Sequence, residues 1–278
     1  FVLACKPLGL NKVRITGGEP LLRRDLPKLV RYISDLGMEV ALTTNGSFLK
    51  REAASLAEAG LDRVTISLDA IDQETHSRIT DSNVTVSDIL EGIEEATSRG
   101  LGPIKVNCVV QRGVNESQIP KLVRQFRGTG TIVRFIEFMD VGRTNGWTPG
   151  QVVPTSEILD FLSREFDLVP IMRDSPSDVA SRWGHSDGSG EIGFISSVSQ
   201  PFCGDCVRAR LSSDGKLFTC LFTTIGHDMS ELIREGGDAS NLTEAIKEVW
   251  TRRSDRYSEE RSSDAFSLPR VEMSYIGG

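Results

Sequence analysis

Three of the chain's five cysteines crowd into one short segment, and their spacing suits a metal. Cys203-Gly-Asp-Cys206 sets two thiols on one tight turn, and Cys220 follows on a β-like run, Lys216–Phe222, with Ser212–Gly215 as the turn before it. The pattern describes a hairpin with a metal held at its open end. Thiolates are soft ligands that suit zinc or an iron–sulfur cluster. A structural zinc site wants a fourth protein ligand, and the nearest candidate is His227, otherwise an ordinary loop histidine. A cubane on three thiolates instead leaves one iron open to a substrate. Spacing alone leaves both metals open: zinc would make a structural ribbon, and a cluster would make a reactive site. Arg208-Ala209-Arg210 follows at once. Residues two apart on a strand share a face, so the two guanidinium forks are expected to grip an anion; the alternative is a solvated strand face.

Polar residues also gather where strands should end: Thr16-Gly17-Gly18-Glu19, Thr43-Thr44-Asn45, Ser67-Leu68-Asp69 and Glu137-Phe138-Met139-Asp140. Strands are expected at Lys12–Thr16, Glu39–Thr44, Arg63–Asp69, Ile104–Val110 and Ile132–Phe138, from runs of Val and Ile bounded by Gly, Asn or Asp. Between them lie helical stripes such as Leu26, Leu29, Val30 and Ile33, ended by Gly37, and Ile119, Leu122, Val123 and Phe126. Strand alternating with helix implies a parallel sheet with crossover helices. In such barrels chemistry sits at the C-terminal strand ends, so the polar clusters are expected to share one ligand-binding mouth. After Asp140 the rhythm breaks. Val141–Pro154 reads as a long loop, Ser156–Phe166 as a helix with Thr155 or Ser156 near its N-cap, and Arg173–Gly190 as a polar surface excursion. A strand at Ile192–Ser196 and helices at Met229–Arg234 and Leu242–Arg252 complete the pattern.

Composition sets limits on all of this. A chain of 278 residues, 38% hydrophobic and 26% charged, can bury a real core. A net charge of −7 argues against a nucleic-acid partner. No apolar run approaches the roughly 20 residues of a membrane helix, and no secretory signal opens the chain. An odd cysteine count disfavours a closed disulfide set, and clustered thiols without disulfide pairing suggest a reducing, cytoplasmic setting, with Cys5 and Cys108 as small buried hydrophobes. Phe1 is not a methionine, and Phe-Val-Leu-Ala-Cys reads like the middle of a helix. The natural N-terminus is therefore expected upstream.

Arg14-Ile-Thr-Gly-Gly-Glu-Pro20 resembles the motif with which radical S-adenosylmethionine (SAM) enzymes hold the methionine end of SAM, where Glu19 would accept from its ammonium group. Leu42-Thr-Thr-Asn-Gly46, Val64-Thr-Ile-Ser-Leu-Asp69, Lys105-Val-Asn107, Arg134-Phe-Ile-Glu-Phe-Met-Asp140, the run from Phe202 to Gly215 and the terminal Tyr275-Ile-Gly-Gly278 join it. Together, over essentially the whole chain, they resemble the GTP 3′,8-cyclase (MoaA) family. The resemblance implies an α/β fold: an incomplete (β/α) TIM-like barrel of the radical SAM type over residues 1–140, and an extension over 141–278 with an auxiliary [4Fe–4S] cluster on Cys203, Cys206 and Cys220. It implies SAM contacts from Gly18, Ser67 and Met139, with Glu19 and Asn45 in the SAM motifs. GTP contacts would come from Arg14, Thr43, Lys105, Arg208, Ala209 and Arg210, and from a tail, Gly277 and Gly278, reaching into the site.

The implied reaction is the conversion of GTP to 3′,8-cyclo-7,8-dihydro-GTP, the first step of molybdenum cofactor synthesis. The cofactors carry the hard chemistry and the protein orients them. An electron donor such as flavodoxin or ferredoxin, a downstream cyclic pyranopterin monophosphate synthase and a homodimer are the implied partners. The family's Cys-x-x-x-Cys-x-x-Cys motif, which binds a second cluster that cleaves SAM, is absent here and is expected upstream of Phe1. The polypeptide as written is therefore expected to be inactive alone. Two rivals remain at this level: another radical SAM enzyme with an auxiliary cluster, and a non-enzymatic zinc-ribbon module.

Overall fold

The computed structural model describes residues 1–142, 144–234, 239–260 and 271–277. Five parallel strands follow the expected rhythm: β1 (Lys12–Ile15), β2 (Glu39–Thr44), β3 (Arg63–Ser67), β4 (Lys105–Val110) and β5 (Ile132–Glu137). Helices α2 (Leu26–Asp35), α3 (Leu49–Glu58), α5 (Val86–Ser98) and α6 (Ile119–Phe126) connect them, after a short α1 (Val2–Cys5). The helices form because apolar residues recur at helical spacing and bury one face: Leu26, Val30 and Ile33 on α2, and Ile119, Leu122, Val123 and Phe126 on α6. An additional helix, α4 (Gln73–Thr80), starts where Asp72 accepts a hydrogen bond from the Thr75 N–H.

The sheet is continuous across residue 140. Strand β8 (Glu191–Ile195) pairs parallel with β5, and β7 (Ser181–His185) and β6 (Leu168–Ile171) extend it antiparallel, giving the order β1-β2-β3-β4-β5-β8-β7-β6. The polar segment Arg173–Gly190, expected as a surface excursion, thus contains a full strand. Ser181-Arg-Trp-Gly-His gains its pairing from neighbours on both sides rather than from its own composition. Helix α7 (Thr155–Leu162) has Pro154 at its N-cap with no side-chain cap bond, in place of the cap expected from Thr155 or Ser156.

Strand alternation decides what faces the concave side. In β4 Val106, Cys108 and Val110 are fully buried, while Lys105 and Asn107 point the other way. A large apolar cluster, drawn from residues between Leu21 and Phe194, lies between sheet and helices. A second, smaller sheet, β9 (Arg210–Leu211), β10 (Lys216–Phe218) and β11 (His227–Asp228), is the expected hairpin with one added strand. Helices α8 (Ser230–Arg234), α9 (Ala239–Thr251) and α10 (Met273–Ile276) complete the described chain. Helix α9 packs on α1, so that Leu242 and Ile246 share a small core with Ala4 and Cys5. Among the described residues no helix is long and apolar enough to cross a membrane.

Candidate functional site

The loop after β1 is held open by its own acid. Glu19 accepts from the Leu21 N–H (3.0 Å), the Thr44 hydroxyl (2.7 Å) and the Asn45 N–H (2.8 Å), tying the first strand end to the second. The carboxylate expected to receive a ligand ammonium is thus engaged largely by the chain. Asn45 likewise turns its side-chain carbonyl on Ser47. Gly17 adopts a φ of +134°, which glycine alone enters freely, and a Cβ at Gly18 would meet nothing within 4 Å. The backbone at Gly18 is therefore bare toward the mouth. Ser67 is exposed at the end of β3, and Met139 is half-buried just past β5. Near Ser67, burial pushes the Asp69 carboxyl up to about 6, partly offset by the Val109 N–H it accepts.

Cations line the strands below. The Arg14 guanidinium donates to Thr43 Oγ1 (2.9 Å) and to Thr65 Oγ1 (3.1 Å), and Arg134 Nε donates to Asn107 Oδ1 (2.9 Å). Lys105 stands between them. Burial, then the charges of Arg134, Arg63 and Arg14, hold its ammonium down at about 8. Burial and its cationic neighbours bring Arg134 to about 10 and lower Arg14. Arg63 is neutralised locally by Glu39, which also pairs with Lys12 at 3.3 Å. The upper part of the wall is left with like charges held together, the arrangement expected of a polyanion site. Arg134 was not singled out from sequence; its place on β5 beside Lys105 is the signal that could have found it.

The three cysteine thiols of the hairpin segment are free and half-buried. The Cys206 N–H donates to the Cys203 carbonyl, closing the expected tight turn. Arg208 donates from Nε (3.3 Å) and Nη2 (3.2 Å) to Cys206 Sγ and stacks over Phe202. Burial alone would raise the Cys206 thiol, but Arg208 and Arg253 outweigh it and lower it; burial raises Cys220. Arg210 is close enough to feel Cys206 and Cys220 together. Among the described residues no three Cys, His, Asp or Glu side chains converge to hold one metal ion, and His227 lies exposed on β11. Three free thiols are soft donors of the kind an iron–sulfur cluster takes, and among the described residues no fourth donor converges on them as a tetrahedral zinc site would want.

Residues after α9 strap this loop from outside, and sequence gave no signal for them. Arg253 Nη1 donates to the Cys206 carbonyl (2.7 Å), and the Gly204 N–H donates to Glu259 Oε1 (3.2 Å). Tyr257 stacks on Phe222 and donates to Asp140 Oδ2 (2.6 Å). Asp140 and Glu137, expected at the mouth, are instead buried struts. Glu137, 0% exposed, accepts from the N–H groups of Thr155 (2.9 Å), Val198 (2.9 Å) and Ser199 (2.7 Å) and from the Ser199 hydroxyl.

The C-terminal tail bridges the two halves. Arg210 Nε donates to the Gly277 carbonyl at 3.3 Å. A Cβ at Gly277 would lie 2.2 Å from Thr16 Cγ2, and its φ is +73°. The tail therefore touches the β1 loop and Arg210 together. Gly278 and Arg143 lie outside the described residues. Ala209 is exposed between the two arginines.

The parallel α/β half-barrel is that of a radical SAM domain: the Radical SAM superfamily model matches residues 2–126, and the Molybdenum Cofactor Synthesis C model matches residues 131–259, the part that carries the cysteine hairpin. The GTP 3′,8-cyclase of Acidothermus cellulolyticus is 46% identical, covering 97% of this chain and 82% of its own length. That of Xanthomonas axonopodis pv. citri is 48% identical, covering 100% and 83%. The chain belongs to the GTP 3′,8-cyclase family. Among solved structures, Streptococcus suis SuiB aligns with a TM-score of 0.56 at 14% identity, over 79% of this chain and 52% of its own. The structure of anSMEcpe with bound AdoMet and Cp18Cys peptide aligns at 0.51 and 14% identity, over 96% and 75%. Both likenesses concern the fold alone.

Proposed function

We propose that this chain binds SAM and GTP and takes part in converting GTP to 3′,8-cyclo-7,8-dihydro-GTP at the start of molybdenum cofactor synthesis. One observation carries the reading: Gly277 sits against both Thr16 of the Gly-Gly-Glu loop and Arg210 of the Arg-Ala-Arg pair, so a ligand at either reaches the same mouth. The relatives' name supplies the reaction. On this reading Gly18, Ser67 and Met139 flank SAM, with the loop shaped by Glu19 and Asn45. Arg14, Thr43 and Lys105 take the triphosphate from one side, and Arg208, Ala209 and Arg210 hold the nucleotide from the other, beside Gly277.

A [4Fe–4S] cluster on Cys203, Cys206 and Cys220 would supply an open iron that anchors the base. The chain's own work is orientation. A carbon-centred radical reacts with any close C–H bond, so the cation wall must fix the ribose before the radical forms. With no phosphate-cradling glycine loop of the P-loop type, side-chain charge must bind the triphosphate. We place the protein in the cytoplasm. A second, SAM-cleaving cluster, a flavodoxin- or ferredoxin-type donor, cyclic pyranopterin monophosphate synthase downstream and a homodimer belong to the same proposal. The test is anaerobic: full-length protein with reconstituted clusters, SAM, GTP and a chemical reductant, with nucleotides followed by mass spectrometry. The reading expects a cyclised GTP isomer formed alongside 5′-deoxyadenosine. SAM cleavage with GTP left unaltered would overturn it.

A further inference from the structure

The tail that carries Gly277 is fixed at two points that no part of the functional reading uses. At its base, Glu272 faces the loop after β5: Thr144 Oγ1 donates to Glu272 Oε2 at 3.3 Å, and a Cβ on Gly142 would lie 2.3 Å from the same oxygen. Nearer its end, Tyr275 reaches the turn of the cysteine hairpin. Its hydroxyl donates to Asp214 Oδ1 at 2.6 Å. Its ring meets Phe218 edge-on at 6.1 Å, and Phe218 lies over the bare backbone of Gly226, where a Cβ would come within 2.6 Å of the ring. Asp214 is itself held in place, accepting from the Ser212 hydroxyl and pairing with Lys216 at 3.5 Å. The segment between anchor and site is short: Ile276 is buried and Gly277 follows.

We propose that Tyr275 and Asp214 form a latch that positions the tail and, through the Gly277 carbonyl, orients the Arg210 guanidinium toward the nucleotide. Arg210 spends Nε on Gly277, which turns its two terminal nitrogens in one direction. A guanidinium recognises phosphate or a base edge only in a fixed plane. Gly277 holds that plane only if the tail is immobile, and a segment with few packed contacts opens locally unless it is tied down. The Tyr275 hydroxyl supplies the tie on the same hairpin that carries Arg210, so carbonyl and guanidinium share one rigid frame. Tyr275 is thus a positioning residue that touches no ligand itself.

The inference rests on the cyclase reading, and the experiment keeps the two apart. In full-length protein with reconstituted clusters, Tyr275→Phe keeps the ring on Phe218 and removes only the hydroxyl; Asp214→Asn removes the charge that receives it. Hydrogen–deuterium exchange over residues 271–277 and kcat and KM for GTP are measured well below the melting temperature. Each variant is expected to exchange about five-fold faster in the tail and to lose about five-fold in kcat/KM for GTP, with KM for SAM unchanged. That ratio is what a perturbation of about 1 kcal/mol produces. The double variant is expected to be no worse than Asp214→Asn alone, because the one tie that Tyr275→Phe removes ends on Asp214. Unchanged tail exchange overturns the latch. Faster exchange with unchanged GTP kinetics, or additive losses in the double variant, overturns the positioning role. A wild-type protein that forms no cyclised product would overturn the functional reading, while the exchange rates still judge the latch.

Discussion

Removing the Glu137 carboxylate should cost this protein more stability than removing any other acid near the mouth. The side chain has no exposure to solvent and ends β5 with its oxygens turned to three backbone N–H groups and one hydroxyl. Those donors come from separate elements: Thr155 opens α7, while Val198 and Ser199 follow β8. The acid therefore stands in for the missing side-chain cap of α7, where negative charge is also favoured by the helix dipole. Glu137→Ala orphans all three N–H groups at once. Each unpaired buried donor costs about 1–3 kcal/mol, and taking the lower end allows for water entering the space left behind. The sum over the three groups is about 3 kcal/mol, which for a chain of this size lowers the melting temperature by roughly 8 °C. Glu137→Gln should fall between, because one oxygen remains while the new NH₂ faces donors. Differential scanning calorimetry on anaerobic protein measures both. A shift of less than about 2 °C for Glu137→Ala would refute the view that this carboxylate joins the barrel to the residues after 140.

Other consequences concern binding. Lys105 is held at about 8, below its ordinary value, by burial and by Arg134, Arg63 and Arg14. The folded state therefore binds fewer protons than the unfolded chain between pH 8 and the ordinary lysine value, so fold stability rises with pH across that window. GTP affinity should move the opposite way, weakening as pH climbs through about 8 and the ammonium is lost; Lys105→Arg should flatten that decline in a binding titration. Glu19→Gln should keep the fold but leave either the Asn45 N–H or the donors on Oε1 facing an NH₂ group. SAM affinity, read by equilibrium dialysis, should fall about ten-fold, the equivalent of one lost hydrogen bond of about 1.4 kcal/mol. Gly277→Ala should impair turnover more than fold stability, since the added methyl collides with Thr16 at the mouth; steady-state kinetics beside a melting curve separates the two.

Much of the barrel was legible because its signals are local. Glu39–Thr44 was bounded as found, and the other parallel strands to within two residues, since a run of Val and Ile stopped by Asp, Asn or Gly needs no distant partner to be read. Strand β7 was not legible. Ser181-Arg-Trp-Gly-His is as polar as a loop, and only Leu168–Ile171 on one side and Glu191–Ile195 on the other make it a strand. Helix α4 escaped for a similar reason: His76 is its one buried residue, so it carries no apolar stripe. At the site, residue types were readable and their assignments less so. Strand-end acids looked like ligand contacts, yet Glu137, Asp140 and most of Glu19 serve the chain itself. Whether a carboxylate faces a ligand or a backbone N–H depends on which loop folds over it. The tail's approach to Thr16 and Tyr275's reach to Asp214 join segments far apart in sequence, and no periodicity encodes such closures.

The account stands or falls on what the hairpin cysteines hold and what they hold it for. The measurement that addresses this most directly is electron paramagnetic resonance of the reduced, anaerobically reconstituted full-length protein, with iron, sulfide and zinc determined on the same sample, before and after GTP is added. The account predicts an iron–sulfur signal that disappears selectively in Cys220→Ser and changes when GTP is added. Zinc in place of iron and sulfide, or a hairpin cluster whose spectrum ignores GTP, would contradict it.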